Sequence, residues 1–380
     1  MVQQFDAIVI GVGGFGSSAL YHLAERGQRV LGLEQFGVAH DRGSSHGETR
    51  IIRQAYFEHV NYVPLLQRAY ELWDRMSDFV GKTLFHRCGL MLSGPGESEV
   101  LAGTQRAADQ YHLNVEELSL AAAAQRFPCY RFPDNFRVLF ERNAGFLDVE
   151  DCVAGHIRMA TAKGAVLRTQ ERVLNYVVEG DSVRVETDRE TYLAGRLIVT
   201  AGPWASRILG ELGVPLRVVR KPLFWFPAAE PQFQRAIGNP TFFFDLPEGQ
   251  FYGFPALGSD VIKVAEHTGG DLVADPTHVD REFHASDLER LVPFLTAHLP
   301  QVVPRPRKHS VCMYTLSPDH HFVIDRHPEQ PQVVFGAGFS GHGFKFTTVI
   351  GEALAELALD GVSRQPIEFL NLSRFQTETE

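Results

Sequence analysis

Ala7-Ile8-Val9-Ile10-Gly11-Val12-Gly13-Gly14-Phe15-Gly16, continued as far as Glu34, is the stretch of this chain that decides its fold. Residues 7–10 form a short, apolar, β-branched run that suits a buried parallel strand. The glycines that follow open a helical pattern with Ala19, Leu20, Leu23 and Ala24 on one face, ended by Gly27. A second strand, residues 29–33, leads into Glu34. Gly11 permits a tight turn, Gly13 lets a pyrophosphate approach the backbone, and Gly16 lets the helix lie close to the sheet. Glu34 stands 23 residues after Gly11, near the ~20-residue offset at which a carboxylate holds ribose hydroxyls. It would repel a 2′-phosphate, which argues against NADP at this site. The unit reads as a dinucleotide site, with FAD and NAD both open on this motif.

At 380 residues the chain can bury a sizeable core and is expected to form two domains. Its 44% hydrophobic and 22% charged residues are ordinary for a globular protein. A net charge of −10 argues against nucleic acid as a partner, because there is no basic excess to neutralise phosphates. Cys88, Cys129, Cys152 and Cys312 are widely separated, which argues against a disulfide framework or a zinc site. His309, His320, His321 and His327 match no metal-ligand spacing, so no metal is expected. No basic, apolar leader opens the chain, no run has membrane-spanning length, and residues 376–380 carry no peroxisomal tripeptide. The expectation is a cytoplasmic protein with no membrane partner.

After the opening unit comes a polar loop, residues 40–49, where ligands enter an open α/β sheet. Helices are expected over 62–76, 101–111, 118–126, 151–163 and 344–359, and strands over 165–167, 182–186, 197–202 and 332–335. Residues 215–305 are richer in Phe and Pro, with strands at 251–254 and 261–265. The expected fold class is α/β (α+β overall). A discontinuous Rossmann-like domain (1–85, 145–215 and 308–380) would carry the nucleotide. An antiparallel-sheet substrate domain (86–144 and 216–307) would sit over it. Of Phe224, Trp225, Phe226, Phe242 and Phe243, some would line the pocket, although an aromatic run of this kind is more often core packing.

Several distant segments together resemble the monomeric sarcosine oxidases and related flavin-dependent N-methyl and cyclic amino-acid oxidases. They are Gly43-Ser44-Ser45-His46-Gly47-Glu48-Thr49-Arg50-Ile51-Ile52-Arg53, Tyr252-Gly253-Phe254-Pro255, and Lys263 with His267 four residues on. Nearer the C-terminus come Cys312-Met313-Tyr314-Thr315, Ser317-Pro318-Asp319, and Gly338-Phe339-Ser340-Gly341-His342-Gly343-Phe344-Lys345-Phe346. The similarity spans almost the whole chain, and it selects FAD over NAD.

The resemblance implies a role for each matching residue. Cys312 would attach FAD covalently, a reaction that needs only one reachable thiolate. Arg50 and Lys345 would clamp the substrate carboxylate, as a bidentate fork and a point charge. Lys263 would activate O2, because an ammonium stabilises the charge that develops as superoxide forms. His267, Tyr252 and Tyr314 would line the pocket beside the amine. Ser44, His46, Thr49, Val173, Gly202, Gly338, Gly341, His342 and Gly343 would join Gly11, Gly13, Gly16, Glu34, Arg50 and Lys345 around the cofactor. The helix following His342 would direct its positive end at the reduced ring. Ser45 stands where relatives often carry a second histidine, which implies an altered loop contact. Arg53 would face away from Arg50 on a strand and nearly the same way on a helix.

The implied reaction oxidises a small secondary-amine amino acid to an imine and reduces O2 to H2O2, in a monomer. Sarcosine, a bulkier N-methyl amino acid and a cyclic imino acid such as pipecolate or proline remain alternatives. A flavin dehydrogenase using another acceptor is the nearest rival, and Lys263 argues against it. A scaffold retaining FAD only structurally is disfavoured because Arg50, Lys263, Cys312 and Lys345 are all present.

Overall fold

The computed structural model describes residues 2–375, so the C-terminal tail read for a targeting tripeptide lies outside it. Strand Gln3–Ile10 lies at the centre of an eight-stranded sheet, parallel to Val30–Leu33 on one side and Thr191–Val199 on the other. Val166–Arg168 extends the sheet beyond Val30–Leu33, and Val333–Ala337 runs parallel to the end of Thr191–Val199. Ser182–Thr187 pairs antiparallel with the other half of that strand, and Val173–Glu179 pairs antiparallel with Ser182–Thr187 in turn.

Helix Gly14–Glu25 is wedged between the sheet and helices Val149–Ala162 and Thr347–Asp360. Every residue from Gly16 to Ala24 is buried, so the apolar stripe expected at 19, 20, 23 and 24 is only part of what this helix hides. Leu20 and Leu23 are fully enclosed; each such side chain contributes about 1.5–3 kcal/mol on transfer from water.

The second sheet has nine strands. Arg217–Pro227, Val261–Glu266, Gly249–Phe254 and Thr241–Leu246 follow one another antiparallel. Thr241–Leu246 then pairs with Leu90–Pro95 in parallel, an exception to the antiparallel platform expected. Lys308–Leu316 pairs with Arg217–Pro227 along nine residue positions. The expected boundary at residue 308 is therefore misplaced, because 308–316 belongs to the platform sheet. That strand is held by a partner some 90 positions away, and its own composition gave no sign of it. A three-stranded sheet of Thr49–Ile52, Gly145–Asp148 and Phe85–His86 stands apart from both.

The aromatic run divides by parity. Phe224, Phe226, Phe242 and Phe244 enter the platform core, whereas Trp225 and Phe243 pack with Tyr252 and Cys312 on the opposite face. A strand's period of two explains the split, so the platform core takes Phe224, Phe226 and Phe242 but not Trp225 and Phe243. Two expected helices also change. Leu118 ends strand Val115–Leu118, and Ser119 caps helix Leu120–Arg126. The last helix starts with a separate 3-10 turn, Phe344–Phe346, before Thr347–Asp360. His342 therefore precedes a 3-10 turn and not the α-helix itself.

Candidate active site

The glycines of the opening turn are required for different reasons. Gly11 has φ +81°, and a Cβ there would lie 2.7 Å from the Thr200 carbonyl oxygen. At Gly16 a Cβ would stand 1.9 Å from Gly11 O, so the helix can approach the turn only without one. At Gly13 the nearest protein atom to a Cβ would be Ser45 Oγ, 3.7 Å away, an ordinary contact. The fold tolerates a side chain at 13; a ligand lying against the helix N-terminus would not. Gly13 is also the helix N-cap and brings no side-chain cap of its own.

This turn opens on a cavity of about 630 Å³ that runs past Glu34, Val173 and Gly202 to Ser44, Arg50 and Tyr314, with Gly338, Gly341 and Gly343 on its wall. Its length and its glycine floor suit an extended dinucleotide. Glu34 is buried, and its carboxylate accepts from the N–H groups of Val12 and Phe36, both at 2.9 Å. Those bonds fix the carboxylate and leave lone pairs for ribose hydroxyls. Gly16, His46, Thr49, Cys312, His342 and Lys345 stand outside this wall. His46 is buried with Nε2 lacking a hydrogen-bond partner, a polar atom suited to a bound group. Burial, and then the nearby Arg50 charge, push its pKa down to about 3. Trp204 and Arg207, which no sequence motif marks, also line this cavity. Their only signal was position, just beyond the small-residue end of strand Thr191–Val199.

Arg50 and Cys312 meet at the other end. Arg50 Nη2 donates to Ser44 O at 3.0 Å and lies 3.3 Å from Cys312 Sγ, while Nη1 donates to Thr49 O at 2.9 Å. The thiols of Cys88, Cys129 and Cys152 are pushed upward by burial. Lys263 is 3% exposed, and its Nζ donates to Gly47 O at 2.6 Å, Thr49 O at 2.9 Å and Thr49 Oγ1 at 3.2 Å. Burial, followed by the Arg50 charge, holds its pKa well below the usual lysine range.

Lys345 occupies a different corner. Its Nζ donates to His342 O at 2.6 Å and to Tyr56 Oη at 3.3 Å. Burial, then Arg53, bring its pKa down to about 7, with Glu58 opposing. Arg53 pairs with Glu58 at 2.7 Å and stacks over the rings of Tyr56 and Phe57, so it supports this corner from behind. Tyr56 and Glu58 were not singled out from sequence. The one available hint was an acid five residues after an arginine of uncertain direction.

Tyr314 Oη and His267 Nδ1 share a 3.4 Å hydrogen bond, and the Tyr252 ring lies 6.4 Å from that of His267. Burial and the neighbouring Lys221 charge depress His267 to about 3, which keeps it neutral. Burial raises both tyrosines, so these phenols stay protonated. Among the described residues no group of three or more His, Cys, Asp or Glu side chains is arranged to hold a metal. No helix among them is long and apolar enough to cross a membrane.

The sequence family described as FAD dependent oxidoreductase matches residues 6–357. The chain is 41% identical to the monomeric sarcosine oxidase of Streptomyces avermitilis over 97% of both chains. It is 37% identical to the N-methyl-L-tryptophan oxidase of Salmonella dublin, covering 98% of this chain and all of that one. Among solved structures, NikD, an amino acid oxidase of nikkomycin biosynthesis, superimposes with a TM-score of 0.86 at 25% identity, covering 97% of this chain and 98% of NikD. With a glycine cradle and a cavity suited to a dinucleotide, this chain belongs to the FAD-dependent oxidoreductases, in the family of the monomeric sarcosine and N-methyltryptophan oxidases.

Proposed function

We propose that the protein oxidises a small N-methyl amino acid such as sarcosine to an imine, with O2 reduced to H2O2. The observation that carries this reading is the pairing of Arg50 on the cavity wall with Lys263 and Cys312 close beside it. The names of the two curated relatives support the substrate class. FAD, when bound, supplies the acceptor for the hydride equivalent leaving the substrate.

The chain's own residues then divide the work. Arg50 and Lys345 hold the carboxylate through charge-assisted hydrogen bonds and so orient the amine and its α-carbon. Tyr252, Tyr314 and neutral His267 line the amine side; none needs to be an obligate base, since a pocket that favours the neutral amine suffices. Lys263 stabilises negative charge developing on O2. Cys312, whose Sγ lies 3.3 Å from Arg50 Nη2, would hold the cofactor covalently; forming the thioether would remove two hydrogens, for which O2 is the acceptor. The enzyme works as a monomer.

Acid precipitation of the holoenzyme, followed by anaerobic addition of sarcosine, N-methyltryptophan, pipecolate and proline in turn, tests the proposal. Yellow colour retained in the pellet and bleaching by an N-methyl amino acid are expected, and Cys312→Ser should release the colour to the supernatant. Bleaching by a cyclic imino acid alone would move the substrate class. A protein that takes up no FAD would end the oxidase reading.

A further inference from the structure

A second cavity, of about 250 Å³, lies behind Lys263 and is separate from the cofactor cavity. Trp225, Phe254, Leu257 and Val261 give it apolar walls, and Thr49 and Lys263 close its inner end. Thr49 lines this cavity and Arg50 the large one. The two are consecutive on strand Thr49–Ile52, whose side chains alternate between faces. The partition between the cavities is thus about one strand thick. The Lys263 ammonium is tied to that strand through Thr49, and lies 4.8 Å from the Phe254 ring centroid and 5.6 Å from that of Trp225.

The partition is firmly built. Glu48 adopts φ +71°, a left-handed conformation unusual for a side chain of its size. Glu150 accepts from the N–H groups of Gly47 and Glu48, and Trp225 Nε1 donates to Glu48 Oε2 at 2.8 Å. On the side toward solvent, Leu257 is 45% exposed, and ion pairs Glu48–Lys308 and Asp260–Arg307 flank the cavity.

We propose that this cavity is the port through which O2 reaches Lys263, separate from the route of the amino acid. The inference rests on the reading of Lys263 as the oxygen site. The charged residues in its lining are already spent, Glu48 on Lys308, Arg307 on Asp260 and Lys263 on the 47–49 turn, so a zwitterion drawn in would lose hydration without unpaired partners, whereas a small neutral gas has little hydration to lose. Lys345, half of the carboxylate clamp, contributes nothing to the lining. O2 enters, accepts two electrons and two protons from the reduced holoenzyme, and leaves as H2O2.

The test pairs crystallography with half-reaction kinetics on the holoenzyme. Crystals pressurised with xenon should show the gas between Trp225, Phe254 and Leu257. Leu257→Trp, which narrows the mouth, should slow reoxidation by O2 about tenfold, as expected where access to a closed site limits the step. Anaerobic reduction by substrate should be unchanged. Val261→Phe, reaching in from the strand, provides a second obstruction should the first variant fold poorly. Absence of xenon from the cavity, wild-type reoxidation in the obstructed variants, or equal losses in both half-reactions would overturn the port. Lys263→Met separates the two ideas. Rapid reoxidation in that variant would remove the lysine's assigned role, while slow reoxidation with no effect of obstruction would remove only the port.

Discussion

The corner around Lys263 and the corner around Lys345 each bury one lysine, yet they leave those lysines in different states. Lys263 spends three hydrogen bonds on two carbonyls and a hydroxyl of the 47–49 turn. Lys345 makes two, to His342 O and Tyr56 Oη, with the Arg53–Glu58 pair behind it. An ammonium has three donors, so Lys263 is saturated and Lys345 retains one. A saturated cation can act through its field on a small molecule nearby, whereas one with a free donor can bind an anion directly. Burial alone does not assign a lysine's role; its remaining hydrogen-bonding capacity does.

The strongest challenge to this contrast is Lys263→Met. Reoxidation by O2 should fall by about 10²-fold or more, the scale of losing a preorganised charge, while anaerobic reduction changes little. Equal losses in stopped-flow measurements of the two half-reactions would erase the distinction between the corners. Lys345→Met should do the reverse. Binding of a carboxylate ligand should weaken by about 10- to 100-fold, since a charge-assisted hydrogen bond contributes roughly 1.5–3 kcal/mol, with reoxidation preserved. Unaltered ligand titrations would remove Lys345 from the clamp.

The pH dependence sharpens the comparison further. In the free protein Lys345 is charged below about 7 and neutral above it. A simple carboxylate without an amine binds the charged form and takes up a proton where that form is scarce. Its affinity should therefore be greatest below pH 7 and fall above it, by at most about tenfold per pH unit. His267, held to about 3, stays neutral across that window and adds no inflection. A flat profile in the wild type, or an inflection surviving in Lys345→Met, would contradict the assignment. The smallest effect should come from Thr49→Val, which removes the longest of the Lys263 hydrogen bonds and leaves the two carbonyls in place. A neutral hydrogen bond of this kind contributes about 1 kcal/mol, so reoxidation should change by less than about tenfold. A loss as deep as that of Lys263→Met would show that the hydroxyl, and not the backbone turn, positions the amine.

Legibility in the sequence follows the range of the forces involved. The turn at Gly11 and Gly16 could be read at once, because backbone sterics act between near neighbours and leave glycine as the residue that fits. Helix Gly14–Glu25 and strand Val261–Glu266 emerged close to their expected limits because apolar periodicity is a local property. Lys308–Leu316 could not be assigned to its sheet, since a strand's partner is not encoded in its own alternation. The aromatic run around Trp225 stayed open between core and pocket for a related reason: period two tells which residues share a face, but not what covers each face. Glu58, which pairs with Arg53 and steadies the Lys345 corner, stayed hidden because a charged residue in a polar segment reads as solvated until the fold encloses it.

The sequence by itself therefore determined the dinucleotide unit, the mixed α/β class and the list of side chains with chemistry to offer. Tertiary structure alone decided how those side chains are used. Lys263 meets Gly47 across 216 positions of chain, and Lys345 meets Tyr56 across 289. The number of acceptors around a buried ammonium is a property of the folded packing, because desolvation and hydrogen-bond satisfaction depend on which groups are close in space and not on which are close in sequence.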